Sequence, residues 1–315
     1  MGHTDLSLQR QLRRPQAKLT PETTRQTSVS DGSALLGTSI DHDRLRLEAI
    51  IRSGGSSVVF RALDRADGRE YAVKCMPRGT KTSETHARHV RERSLHMCVD
   101  DHPGITTLHR AFAQGEHVFF VFDLYTGGDL YGAIERGVFI GDDNLVRDVF
   151  SQLCDVIAHC HARGVYHLDV KPENVLCDSH SSRIALADFG LATTLPMISI
   201  RLSESKLYAP PECYRNLCGE ASATPTSASD VWALGIILVN LITSVNPWHA
   251  ARPQDPNFAL YIQDPRIYFD PLHLPADVKT LILRALAVDP YRRISLDGMR
   301  ATVKKIPSFF PARRP

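Results

Sequence analysis

At 315 residues and 43% hydrophobic composition, the chain is long enough for one two-lobed domain with a sizeable core. Its 37 Lys and Arg against 35 Asp and Glu leave a formal charge of +2, which argues against nucleic acid or a membrane as an obligate partner. No run reaches the roughly eighteen apolar residues that a membrane span needs. The charged N-terminus lacks the apolar core of a signal peptide, and the odd number of cysteines, without a C-x-x-C pair, reads as reduced thiols, so a cytoplasmic or nuclear location is expected.

In chain order, residues 1–38 are rich in Arg, Gln, Ser and Thr without a sustained period, and are expected to form a disordered arm, with a regulatory arm as the alternative. From Leu45 the pattern turns to strands, at 45–51, 57–63 and 70–75, with Asp67-Gly68 supplying hairpin chemistry between the last two. The turn 52–57, Arg-Ser-Gly-Gly-Ser-Ser, reads either as a plain hairpin or as a loop whose N–H groups approach phosphate oxygens. A helical stretch, 86–99, carries Val90, Leu95 and Met97, and strands at 106–113 and 118–124 follow. The strongest helix is 145–163, where Val149, Leu153, Val156, Ile157 and Cys160 recur at threes and fours before Gly164. Cys154 and Cys160 on it lack metal-ligand spacing.

That helix delivers the chain to residues 165–176, Val-Tyr-His-Leu-Asp-Val-Lys-Pro-Glu-Asn-Val-Leu. Here Asp169, Lys171 and Asn174 stand at fixed offsets between apolar segments. An Asp can accept a hydroxyl proton, a Lys can meet a phosphate, and an Asn can offer its amide oxygen to Mg²⁺. Beyond the apolar run 183–187 comes Asp188-Phe189-Gly190, where a carboxylate after a buried strand, with Gly permitting a sharp turn, can also reach Mg²⁺. Together these segments resemble the H-R-D-L-x-x-x-N catalytic loop and D-F-G motif of the protein kinases, over about residues 45–306.

The resemblance implies an α+β bilobal fold: a small antiparallel five-stranded N-lobe with one helix (39–124), a mainly helical C-lobe (125–308), and a tail (309–315). It also implies ATP and Mg²⁺. Asp169 would orient and deprotonate a Ser or Thr hydroxyl, Lys171 and the strand residue Lys74 would hold phosphates, and Asn174 and Asp188 would hold the metal. Glu92 would pair with Lys74, Glu84 being the alternative. Ile51, Gly54, Gly55, Val59 and Ala72 would enclose base and phosphates, Phe122 would be the gatekeeper, and the backbone from Asp123 to Tyr125 would bond the base edge. Asp129 would meet the ribose or a basic substrate side chain, or else cap a helix. Ser205 to Glu212 resembles the end of an activation segment, and Ser205 with Lys171 favours Ser/Thr over Tyr acceptors. Asp230 would brace the catalytic loop, and Arg293 would pair with Glu212. Partners would be protein substrates, with Asp129 and Glu173 suited to basic motifs, and the chain is expected to be a monomer.

Besides Pro210, which stands in place of the Ala at the end of the activation segment, three positions depart from the family pattern: Leu168 replaces the Arg of the catalytic loop, and Arg52 and Ser57 replace the first and third glycines. The first implies activity independent of activation-loop phosphorylation. All three motivate an alternative, a pseudokinase scaffold acting through nucleotide or protein binding. A small-molecule phosphotransferase would not be expected to carry Pro211-Glu212 or the Asp230 helix. Within the kinases, Asn246-Pro247-Trp248-His249-Ala250-Ala251 followed by Asp255-Pro256-Asn257-Phe258 and Tyr261 resembles the fungal Ran/Ksp-type nutrient and meiosis kinases.

Overall fold

The computed structural model describes residues 32–198, 206–215 and 224–311, so residues 1–31 of the expected arm, Ser205 and residues 312–315 of the expected tail lie outside it. Alternating burial builds one sheet from Ser39–Ile40 (β1), Leu45–Ser53 (β2), Val58–Asp64 (β3), Glu70–Pro77 (β4), Leu108–Gln114 (β5) and His117–Asp123 (β6). It is antiparallel, in the order β1-β2-β3-β4-β6-β5. The sheet thus has six strands where five were expected. The added strand pairs Ile40 with Leu45, and Ile40 is buried, an apolar anchor that the polar composition around it conceals. Just before it, Ser33–Leu35 forms a 3-10 turn, and Gly37 N–H donates to Leu47 O, so the boundary expected at residue 38 falls within hydrogen-bonded chain.

One face of the sheet buries Leu45, Leu47, Val58, Phe60, Ala62 and Val73 in a small core. The helix Glu84–Met97 (α1) starts where the Ser83 side chain accepts from His86 N–H. It turns Glu92, Leu95 and His96 inward, while Val90 and Met97 are about half exposed, at 50% and 53%.

A second, larger core occupies the rest of the chain. It gathers Leu130–Glu135 (α2), Asp143–Ala162 (α3), the hairpin Val175–Cys177 (β7) and Ile184–Leu186 (β8), and the short pair Met197–Ile198 (β9) with Thr224–Pro225 (β10). Between these last two lies Glu212–Arg215 (α4); the remaining helices are Thr226–Thr243 (α5), Pro256–Gln263 (α6), Pro265–Tyr268 (α7), Ala276–Ala285 (α8) and Leu296–Val303 (α9). By length and a mean hydropathy of 1.4, α5 is apolar enough to cross a membrane, contrary to the expectation that no run would be. It is 89% buried inside the protein, however, and apolar nearly all round because it is the axis of the large core. Glu212 and Arg293 pair bidentately, both bonds 2.6 Å, and Arg293 lies over Trp232. At the boundary expected for the tail, Phe309 is fully buried, with Arg147 over its ring.

Candidate active site

The two cores meet at a cleft whose upper wall is set by strand register. Residues directly opposite on antiparallel strands share a face, and the pairs Arg52↔Val59, Val59↔Lys74 and Ala72↔Phe122 put these side chains on one side of the sheet. Val59, Ala72, Lys74 and Phe122 are partly exposed there. Ile51, at an irregularity in β2, is 51% exposed, an apolar surface available to a planar base. Gly54 and Gly55 lie in the exposed turn, where Gly54 N–H donates to Ser57 O, so that amide is engaged within the turn.

Lys74 Nζ lies 2.6 Å from Glu92 Oε1 and 2.9 Å from Asp188 Oδ1. Glu84, the alternative partner, is exposed at the start of α1. Burial works against the Lys74 ammonium, but the Asp188 and Glu92 carboxylates more than offset it and hold its pKa well above the ordinary lysine value. On Asp188, burial pushes the pKa up and Lys74 pulls it down further, so this carboxylate lies well below its usual range. Burial raises Glu92, which shares the one ammonium with a second carboxylate.

The lower wall is the catalytic loop. Asp169 Oδ2 accepts from Lys171 Nζ at 2.7 Å and from Asn174 Nδ2 at 2.9 Å. Both bonds fall on Oδ2, so Oδ1 is the oxygen they leave open. The same Asn174 amide nitrogen also donates to Asp169 O, which orients the amide oxygen away as an acceptor. Leu168 takes a left-handed backbone, φ 62°, costly for a leucine at about 1–3 kcal/mol. It is held there by Asp230, whose two oxygens accept from Leu168 N–H at 2.8 Å and His167 N–H at 3.0 Å. His161 Nε2 meets the same carboxylate at 2.8 Å, a partner 69 residues away that no local motif marks. Burial would raise Asp230, and these hydrogen bonds together lower it. His167 is fully buried against Phe189, with Nε2 at 3.2 Å from Ala187 O, and is part of the core.

Phe189 is likewise buried, edge-on to His96 of α1 at 4.9 Å. His96 in turn meets Phe122 at 5.3 Å and Thr106 O at 2.6 Å. This ring sequence docks α1, and with it Glu92, onto the Asp188 turn. Nothing in the local pattern singled out His96.

Asp123 and Tyr125 are partly exposed where β6 leaves the sheet, and Asp123 Oδ1 lies 2.6 Å from His109 Nε2. Asp129 caps α2, accepting from Gly132 N–H at 2.9 Å with one oxygen. Gly127 is required: a Cβ there would stand 1.8 Å from Asp178 O, because the connection packs directly on the end of β7. Leu176, in the middle of β7, is partly exposed between buried Val175 and Cys177. It is bridged to Asp129, and gives a second apolar surface near the segment 123–125 that the sequence alone did not mark.

Among the described residues, no group of three or more His, Cys, Asp or Glu could hold a metal ion by itself. The donor set instead suits Mg²⁺, which takes one or two carboxylates and completes its shell with phosphates and water. Asp188, strongly ionised, and the oriented amide oxygen of Asn174 are hard donors of that kind.

A family model described as the protein kinase domain matches residues 45–304. The chain is 34% identical over 292 residues to the negative regulator of sexual conjugation and meiosis of Schizosaccharomyces pombe, covering 87% of this chain and 62% of that protein. It is 34% identical over 234 residues to serine/threonine-protein kinase VHS1 of Saccharomyces cerevisiae, covering 70% and 50%, respectively. With serine/threonine-protein kinase ksp1 of Schizosaccharomyces pombe it shares 31% over 237 residues, covering 73% and 49%. The alignments span about half to two thirds of the length of these relatives.

Proposed function

This chain belongs to the protein kinase family, with serine/threonine kinases of fungi among its relatives, and from that premise we propose that it is an active ATP-dependent protein serine/threonine kinase that does not wait for activation-loop phosphorylation. The observation that carries this reading is the assembled Lys74–Glu92–Asp188 cluster beside an Asp169 already oriented by Lys171 and Asn174. Asp169 Oδ1 takes the proton of a Ser or Thr hydroxyl as that oxygen bonds to the γ-phosphorus of ATP. The bond from the γ-phosphorus to the β,γ-bridging oxygen breaks, and ADP leaves. Lys74 and Lys171 hold phosphate oxygens, and Ile51, Val59, Ala72 and Leu176 enclose the base. Bound by Asn174 and Asp188, Mg²⁺ would neutralise charge on the phosphates. Positioning and charge neutralisation carry such a reaction.

Independence from loop phosphorylation is supported by Leu168, which packs against the large core and offers no charge to a loop phosphate. Asp129 and Glu173 support a preference for basic residues near the acceptor, and free thiols at the described cysteines suit a cytoplasmic or nuclear setting. The test is radiolabelled phosphate transfer from Mg²⁺-ATP to a generic Ser/Thr protein, before and after phosphatase treatment of the enzyme. Transfer should persist within about twofold after phosphatase and fall about 10²–10⁴-fold in Asp169→Asn. Equal silence of both proteins, with nucleotide binding retained in a thermal shift, would favour the scaffold reading, whose support is the occupied Gly54 amide and the arginine in the glycine-rich turn.

A further inference from the structure

Arg52 Nη1 donates to Glu173 O at 2.8 Å, which ties the glycine-rich turn to the catalytic loop. The segment 123–125 is tied by a different device, built into β5. Along the β5–β6 ladder Leu108 pairs with Phe122, but the next pair is Arg110 with Val121. His109 is thus left with no residue opposite it, the mark of a β-bulge, which bends a strand and re-aims its side chains. Here the re-aimed imidazole meets Asp123, the last residue of β6, with Nε2 at 2.6 Å from Oδ1. A carboxylate only accepts, so Nε2 carries the hydrogen and donates. Tyr71 holds the imidazole in that pose, edge-on at 5.3 Å, and is itself buried, with its hydroxyl donating to Asp67 Oδ2 at 3.1 Å. The guanidinium of Arg110 sits over the same Tyr71 ring at 5.9 Å. Consecutive side chains of a regular strand point to opposite faces, whereas the bulge lets both of these meet one ring.

On β4, Tyr71 stands opposite Asp123 and Ala72 opposite Phe122. Ala72 and Phe122 face the cleft, so the Asp123 carboxylate lies behind the sheet, while its main chain begins the segment that would bond the base edge. Its charge reaches the far end of that segment: burial raises the Tyr125 phenol pKa, and Asp123 raises it further. With side chains 32% and 38% exposed, the His109–Asp123 pair is too open to add much to stability. What it fixes is where the main chain of 123–125 stands. Adenine presents an N6 donor beside its N1 acceptor, and guanine an O6 acceptor beside its N1 donor. Carbonyl and N–H groups placed for the first pattern meet the second like to like, and guanine fits only if the segment or the base slides.

We propose that His109 is a positioning residue for the nucleotide, anchoring Asp123 from behind the sheet so that segment 123–125 accepts adenine and rejects guanine. The assignment rests on the ATP reading of the site and adds to it the residue that sets base preference. Loss of the anchor frees the segment to shift, which costs ATP its aligned bonds and gives GTP a register that it otherwise lacks.

The experiment measures binding, so it does not depend on turnover. ATP and GTP, each with Mg²⁺, compete against a fluorescent ATP analogue on the full chain, His109→Leu, Asp123→Leu and His109→Gln, whose amide keeps an N–H donor without the ring. Circular dichroism checks the fold of each, and Asp123→Leu removes the same anchor from its other end should His109→Leu not fold. The ratio of the GTP to the ATP dissociation constant should fall about tenfold in both Leu variants and stay within about twofold of wild type in His109→Gln. An unchanged ratio in the Leu variants would overturn the assignment, as would an equal loss of both nucleotides or a ratio lost as fully in His109→Gln. A wild type that prefers ATP, with Leu variants that match it, removes the assignment alone; a wild type that binds neither nucleotide removes the ATP reading and the assignment with it.

Discussion

One ammonium, Lys74, holds two carboxylates, and each plays a different part. Glu92 comes from α1 and reports whether that helix is docked; Asp188 comes from the turn after β8 and is held ionised by the same ammonium. Replacing Glu92 by Gln removes the charge that aligns the ammonium, while the helix and its buried ring contacts remain. We expect transfer to fall about 10²-fold, the scale of a misplaced catalytic group. A fluorescent ATP analogue should still bind within a few-fold, and loss of binding as large as the loss of transfer would contradict this role. Lys74, Glu92, Asp169, Asn174 and Asp188 were all legible as candidates, because their motifs are compact and each residue type has a distinct chemistry. Arg52 was legible only as a departure, since its partner Glu173 lies 121 residues away.

At the scale of elements, α1 is secured to the cleft by His96 and Leu95. Burial holds the His96 imidazole below its ordinary pKa of 6.5, against the Thr106 carbonyl and Asp100, which raise it, and with His167 and Lys74, which lower it further. The unfolded chain therefore binds this proton first. The stability contributed by neutral His96 is complete above about pH 6.5 and is lost as pH falls from there toward the depressed folded value. In His96→Leu, thermal denaturation between pH 7.5 and 5 should show a shallower decline than wild type; an identical slope would mean that His96 does not titrate against folding. The catalytic loop depends in the same way on α5. Asp230→Ala removes the acceptors that hold Leu168 at positive φ, and leaves buried N–H groups unpaired at about 1–3 kcal/mol each. Transfer should fall with the thermal midpoint, and activity unchanged at a permissive temperature would show the loop to be self-supporting.

At the scale of the whole molecule, the most protected ion pair among the described residues is Glu212–Arg293, with side chains 4% and 1% exposed. Glu212→Gln leaves a guanidinium uncompensated in the large core, and should cost about 3–5 kcal/mol in chemical denaturation, with a lower midpoint. A change below about 1 kcal/mol would mean that the Ala228 and Ala287 carbonyls suffice to hold Arg293. The strands at 45–51, 57–63, 70–75, 106–113 and 118–124, the helices at 86–99 and 145–163 and the spacing of the motif residues were legible in the sequence itself, because alternation, 3.6-residue recurrence and short polar spacings are local properties of a chain. The outer limits were less visible: β1 is two residues in a polar setting, and α5 passes for a membrane span until its surroundings are known. Only the tertiary structure decided that His96 stands between Phe122 and Phe189, that His161 joins Asp230, and that Arg52 crosses the cleft to Glu173. Each joins elements separated in sequence, and a contact of that kind depends on where whole elements pack, which no local spacing encodes.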